Sequence, residues 1–442
     1  MRLFPLSVSV LLWFFAHTLA LAEAVKDREG AVRSDRETME KNDRWIYNDL
    51  DRGFAEAAKN GKPVLVILRC VPCMACRGID ASILSSAELQ PLLDQFNCVR
   101  VINANALDLS RFQFDYDLSF STLFFNADGT LYGRYGSWQH QRNANDVTTA
   151  GYKATLQEAL TIHRGYPANK STLTPKQGGP APFKIPVEIP ALASKYEREL
   201  NWSGKVVQSC VHCHQIGDAF RAWYRDQGKM VPVELIYPMP PPETIGLTLD
   251  TSCVAKVKEV APDSAAARAG LQVEDEIAAI GSAPVISIAD VAWALHRLPD
   301  AATTTVQVRR HEGTKELSLS LEPGWRLKTD ISTRVGTWQM RGMATGGLRL
   351  QNVPPDQRTA LGLSPGSMAL QVAMLGANGP HGAAKKAGFQ QGDILIEIDG
   401  FSTDITESQL LGLLLTQYPP KSSLKTIVRR GSQRLELLLP VQ

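Results

Sequence analysis

The chain has 442 residues, 44% of them hydrophobic, which is enough for several cores and, at roughly 150 residues per domain, about three domains. Lys and Arg (47) nearly balance Asp and Glu (45), for a formal net charge of +2. With the signs mixed along the chain there is no basic stripe, which excludes nucleic acid as a partner.

The chain begins with Arg2, an apolar run from Leu3 to Ala16, and the small-residue pattern Ala20-Leu21-Ala22. This is the form of a secretory signal over residues 1–22, with an N-terminal anchor helix as the lesser alternative because a span needs about 20 apolar residues. The mature chain is therefore expected to be periplasmic, without a membrane span, in a compartment that permits disulfides and covalent haem. Residues 23–40 are charged and poor in aromatics and read as a disordered lead-in.

A first domain is expected over residues 41–166. Leu50 to Ala58 has helical periodicity ended by Asn60-Gly61, and the apolar run from Pro63 to Leu68 reads as a buried strand. Arg69-Cys70-Val71-Pro72-Cys73-Met74-Ala75-Cys76 follows, with three thiols at three-residue intervals. If a helix starts there, its N-terminus stabilises a Cys70 thiolate, Cys73 lies one turn on to resolve a mixed disulfide, and Arg69 adds positive charge beside the nucleophile. Cys76 is a possible third thiol. Residues 78–96 read as helical, 99–103 and 120–125 as strands, Asn126-Ala127-Asp128-Gly129 as a hairpin turn before a strand at 131–136, and 152–163 as a closing helix.

Gly61-Lys62-Pro63, the strand, Cys70-Val71-Pro72-Cys73 and the Phe-Phe-Asn-Ala-Asp-Gly hairpin resemble a thioredoxin-fold protein. The resemblance implies an α/β domain in which Cys70 attacks and Cys73 resolves. It also implies a cis-proline facing the cysteines, and here Ser121 stands in its place. The three thiols leave open a soft-metal site for copper(I) or zinc, or a vestigial pair. Of the seven cysteines, the solitary Cys98 and Cys253 read as small buried apolar residues.

Residues 167–187, rich in Pro, Gly and polar side chains, read as a linker. Residues 188–243 contain Cys210-Val211-His212-Cys213-His214. Cys-x-x-Cys-His is the attachment pattern of c-type haem, with Cys210 and Cys213 taking the vinyl groups and His214 the iron. The stretch resembles a small, mainly helical cytochrome c segment, and the resemblance implies a covalent haem whose iron is held by His214, with Met239 or Met230 as distal ligand. A second redox pair or a zinc site at Cys210, His212, Cys213 and His214 is the alternative.

From residue 244 the pattern repeats. Ala266-Ala267-Arg268-Ala269-Gly270-Leu271 and Ala384-Lys385-Lys386-Ala387-Gly388-Phe389 each lead into an Asp-led strand, a helix and two further strands. Both copies resemble bacterial PDZ domains of mainly β (α+β) fold, at 244–323 and 346–442, joined by a linker at 324–345. The resemblance implies capture of partner C-terminal peptides. The carboxylate would lie on the backbone N–H groups of Ile245, Gly246 and Leu247 in the first copy and of Leu361, Gly362 and Leu363 in the second. No protease motif accompanies them. The whole order resembles the exported thioredoxin-like/PDZ (seleno)protein family. The chain is thus expected to be a multidomain exported redox protein resembling a thiol-disulfide oxidoreductase. It would carry a c-type haem, recruit protein partners through its PDZ domains and meet an electron-transfer partner. A PDZ adaptor or redox sensor is the alternative.

Overall fold

The computed structural model describes residues 27–71, 83–118, 120–136 and 147–442. The leader, Cys73 and Cys76 lie outside the described residues. Five strands form the N-terminal sheet: β1 (Trp45–Tyr47), β2 (Val64–Arg69), β3 (Asn97–Val101), β4 (Phe120–Phe125) and β5 (Leu131–Gly136), in the order β1-β3-β2-β4-β5. β2 runs parallel to β3 and antiparallel to β4. As a central strand buried on both faces, β2 reads as a continuous apolar run. Its alternate residues divide between two cores, Leu65 and Ile67 on one face and Val64, Val66 and Leu68 on the other.

The charged lead-in is a helix, α1 (Arg28–Met39), capped by Asp27. Two i,i+4 pairs, Glu29 with Arg33 and Arg36 with Glu40, support it locally. What fixes it is tertiary: Asp35 lies 2.9 Å from Arg69 and 3.1 Å from Arg100, and accepts a hydrogen bond from the Tyr47 hydroxyl. Composition alone reads as disorder because these partners are distant in sequence. Helices α2 (Leu50–Asn60) and α3 (Thr149–Arg164) complete the domain close to the expected places. Of the helix expected over 78–96, the described part holds a π-helical turn at Ile83 and Leu84 and a short helix, Gln90–Leu93.

Residues 188–243 hold one long helix, α4 (Cys213–Asp226), and build a small core in which Ile189, Leu192, Val211, Ile216, Ala219 and Phe220 pack together with Leu109 of the first domain. The loops around it also give apolar side chains to neighbours: Leu200 and Val206 cluster with Val32, Val71 and Ile102, and Val231, Ile236 and Tyr237 enter the C-terminal core.

The second sheet runs β11-β10-β8-β7-β6, from β6 (Leu247–Asp250), β7 (Lys256–Val260), β8 (Glu276–Ile280), β10 (Ala302–Arg310) and β11 (Gly313–Leu321), with the short β9 (Ala283–Pro284) paired to β8 and helix α5 (Ile288–Arg297) beside it. After α6 (Thr337–Thr345), the third sheet runs in order from β12 (Leu348–Asn352) through β13 (Leu370–Leu375), β14 (Ile394–Ile398) and β15 (Ser423–Arg430) to β16 (Gln433–Pro440), with α7 (Glu407–Gln417). The repeat extends to one matched hydrogen-bond network around a buried aspartate. Arg310 Nη2 donates to Asp275 (2.8 Å) and to the Gly270 carbonyl (2.7 Å), and Arg430 Nη2 donates to Asp393 (2.8 Å) and to the Gly388 carbonyl (2.8 Å).

Neither expected linker is loose. In 167–187, the buried Lys176 ammonium is 2.6 Å from Asp290 of α5. In 324–345, the fully buried Arg334 side chain pairs with Asp115 at 2.6 Å and Asp117 at 2.7 Å. Burying such charges is tolerated only when they are paired, so each contact ties a connecting segment to a neighbouring domain.

Candidate thiol site

Cys70 follows the last residue of β2, and its Sγ lies 3.5 Å from Nδ1 of His212. His212 immediately precedes α4, and its backbone N–H donates to Gln215 Oε1 at 2.8 Å, which fixes the entry to the helix. The loop after β3 holds the Cys210 stretch in place. Asn105 donates from Nδ2 to the Ser209 carbonyl (2.8 Å) and accepts from the Val211 N–H (2.7 Å), while Cys210 Sγ donates to the Ile102 carbonyl at 3.3 Å. Cys70, Cys210, His212 and Cys213 therefore line one cavity of about 40 Å³, with apolar walls that include Val32 of α1 and Ile102. Burial, and after it the charge of neighbouring thiols, pushes Cys210 and Cys213 each up to about 12. Burial, and then His214, lowers the His212 imidazole, so it stands neutral beside Cys70.

Arg69 does not serve as the expected cation beside the nucleophile: its buried side chain is paired with Asp35. Ser121 is a regular member of β4, opposite Leu68 in the ladder. Cys98 is buried in the core, as expected, and the Cys253 side chain is half-buried.

The haem expectation can be set against these positions. Cys210 and Cys213 face the small cavity, but His214 does not line it; its Nδ1 lies 3.4 Å from Asp218. Met239 is buried against Ala292 and Trp293, and Met230 is exposed. A porphyrin would need the two thiols and His214 around one slot far larger than this cavity, so the residues as folded do not fit a haem. Nor does any group of three or more His, Cys, Asp or Glu side chains suited to a metal ion occur among the described residues.

Residues 45–127 match the thioredoxin-like family model. Residues 256–310 match that of the PDZ domain. No curated protein is similar enough to the chain to be matched. Among solved structures, the PDZ domain of HtrA3 bound to a phage-derived ligand is 26% identical, with 21% of this chain and 80% of that chain covered and a TM-score of 0.17. The HtrA-type protease AlgW with decapeptide is 14% identical over 31% of this chain and 48% of that chain, with a TM-score of 0.20. The chain is thus multidomain, with a thioredoxin-like domain and β-rich PDZ-like architecture.

In the PDZ domain, Ile245, Gly246 and Leu247 lead into β6, the edge strand of its sheet. Gly246 has φ +88°, which suits glycine; its N–H donates to the Glu243 carbonyl at 3.0 Å, and its carbonyl accepts from Ala261 at 2.9 Å. That leaves the Gly246 amide engaged within the loop. The C-terminal repeat places its equivalent elsewhere than expected. Leu361, Gly362 and Leu363 close the short helix Pro355–Ala360, and their N–H groups donate to the carbonyls of Gln357, Thr359 and Arg358. The counterpart of Ile245-Gly246-Leu247 is Gly346-Gly347-Leu348, which leads into the edge strand β12; there the Gly347 carbonyl accepts from Gly376 at 2.9 Å. The shared Gly-Leu-x-Leu of 246–249 and 347–350 was the signal in the sequence.

The groove of that repeat carries an internal polar network along a cavity of about 480 Å³ between β12 and α7. The Leu350 N–H of β12 donates to Glu407 Oε1 at 2.7 Å, and Glu407 is paired with Arg341 at 2.6 Å. On α7, Ser408 Oγ accepts from the Ile331 N–H and the Ser408 carbonyl from the Tyr237 hydroxyl.

Proposed function

We propose that this chain is an exported thiol-disulfide exchange protein whose PDZ domain recruits its protein partners. Cys70 is the attacking thiol and Cys73, three residues on, resolves. The observation that carries this reading is the Cys70 Sγ at the end of the central strand of a thioredoxin-like domain, 3.5 Å from a neutral imidazole. A neutral His212 can take the proton as Cys70 becomes the thiolate that attacks. The β6 edge supports strand addition by a partner peptide, with the residues 245–247 turn as its end. The C-terminal repeat, a second PDZ domain in this reading, serves as scaffold because its β12 edge already spends the Leu350 N–H on Glu407, which Arg341 holds in place. The leader supports export to a disulfide-permitting compartment.

The test is reduction of a mixed disulfide by the purified full-length chain, with Cys70→Ser alongside. Loss of turnover in Cys70→Ser is expected. Equal rates in both proteins would leave the adaptor or sensor reading in its place.

A further inference from the structure

Thiols from two Cys-x-x-Cys motifs far apart in the sequence, Cys70 of the first and both of the second, line one cavity. Cys70 comes from the end of β2, whereas Cys210 and Cys213 come from the entry to α4, and all three line the same apolar space of about 40 Å³. Cys210 and Cys213 hold free thiols, and both respond to the charge of Cys70. Their stretch is not placed there by sulfur chemistry. Asn105, by way of Ser209 and Val211, and the Ile102 carbonyl hold it against the thioredoxin-like domain. Cys213 opens a helix of 14 residues, with Cys210 three positions before it, the spacing at which a Cys-x-x-Cys pair closes a disulfide at a helix N-terminus. Bland small-apolar packing would explain one buried cysteine here; it does not explain a second dithiol turned toward the reactive one.

We propose that Cys210 and Cys213 form a second redox dithiol, the internal exchange partner of Cys70. This rests on the exchange chemistry assigned to Cys70 above. When Cys210 and Cys213 are joined as a disulfide, the Cys70 thiolate attacks the Cys210 sulfur. The Cys210–Cys213 bond breaks, a Cys70–Cys210 bond forms, and Cys213 leaves with the electron pair and is protonated. Cys73 then attacks the Cys70 sulfur, which releases Cys210 and leaves the Cys70–Cys73 disulfide with a reduced Cys210/Cys213 pair. One electron pair has crossed the cavity. The reverse sequence passes it back, and the oxidant that first closes either pair is a protein or small-molecule disulfide.

The test uses the full-length chain on a Cys76→Ser background, with Cys73→Ser and Cys213→Ser combined, so that a Cys70–Cys210 bond, once formed, has no resolving thiol left in either motif. The protein is treated with glutathione disulfide, alkylated and mapped without reduction. The Cys70–Cys210 linked peptide is expected to rise at least about tenfold over wild type. The counterpart with Cys73→Ser and Cys210→Ser reports a Cys70–Cys213 link instead, should that sulfur be the one in line. Wild-type chain under the same buffer is expected to show the Cys210–Cys213 disulfide, which needs no variant to fold. Glutathione on Cys70 with Cys210 and Cys213 alkylated in every protein overturns the relay and leaves exchange at Cys70 standing. A Cys70 that takes up no disulfide partner at all removes both. Thioether-linked haem on Cys210 and Cys213 overturns the relay as well.

Discussion

Cys70 and His212 are separated by 142 positions and meet at 3.5 Å, so the thiol that follows β2 of the thioredoxin-like domain has an imidazole from a different segment of the chain beside it. His212→Ala should slow alkylation of Cys70 at pH 7 by about tenfold, because the thiol loses its nearby proton acceptor. Stopped alkylation followed by peptide mapping of Cys70 checks this. An unchanged rate would separate His212 from the chemistry.

The buried thiols make a pH prediction. Cys98, Cys210 and Cys213 each stand near 12 in the folded chain, above the ordinary thiol value of 9.0. The folded state therefore holds these protons where the unfolded chain has released them. The stabilisation is complete below about pH 8.5 and is lost as pH rises toward 12. The melting temperature should fall steadily from pH 9 to pH 11, and replacing the three cysteines by alanine should flatten that slope.

Removing the cation at the connection between the PDZ domain and the C-terminal repeat should be costly. Arg334→Met leaves Asp115 and Asp117 buried without it, and the expected loss is about 3–5 kcal/mol, read by urea unfolding. Burial already raises Asp115 to about 7 against the pull of Arg334, so the variant should recover part of the loss at pH 5, where that carboxyl is protonated.

Covalent haem is the sharpest divergence between pattern and position. Chain made in a host able to mature c-type cytochromes should give no α-band in a pyridine haemochrome assay of the denatured protein. A retained band would mean that Cys210, Cys213 and His214 leave the places described here.

The strands of the thioredoxin-like domain were legible because their signals are local. Five apolar residues in β2, the Asn-Ala-Asp-Gly turn and the helix-ending Gly61 each act within a few positions. The repeat was legible from Ala-Gly and Asp at matched spacings. What sequence could not supply was the partner of each polar or cysteine-bearing segment. Asp35 turns a charged lead-in into a helix only through Arg69 and Arg100. Lys176 and Arg334 turn two apparent linkers into packed ties through Asp290, Asp115 and Asp117. Cys-x-x-Cys-His reads as haem attachment, whereas in the fold Cys210 and Cys213 line the cavity and His214 does not. The carboxylate loop of the C-terminal repeat was misplaced for a simpler reason: Leu361-Gly362-Leu363 imitates the motif, whereas Gly346-Gly347-Leu348 has its hydrogen-bonding register.

Helix α4 joins two distant ends of the molecule. It opens at Cys213, and near its other end Arg225 donates from Nε (2.9 Å) and Nη2 (2.8 Å) to the main-chain oxygen of Gln442 and from Nη1 (2.8 Å) to that of Tyr418. A 14-residue helix spans about 21 Å as a nearly rigid rod. A change of bonding at the Cys213 sulfur thus has a mechanical path to residue 442. A fluorophore or affinity handle fused after Gln442 would sit on that clasp, and would both sense and disturb what happens at the sulfur.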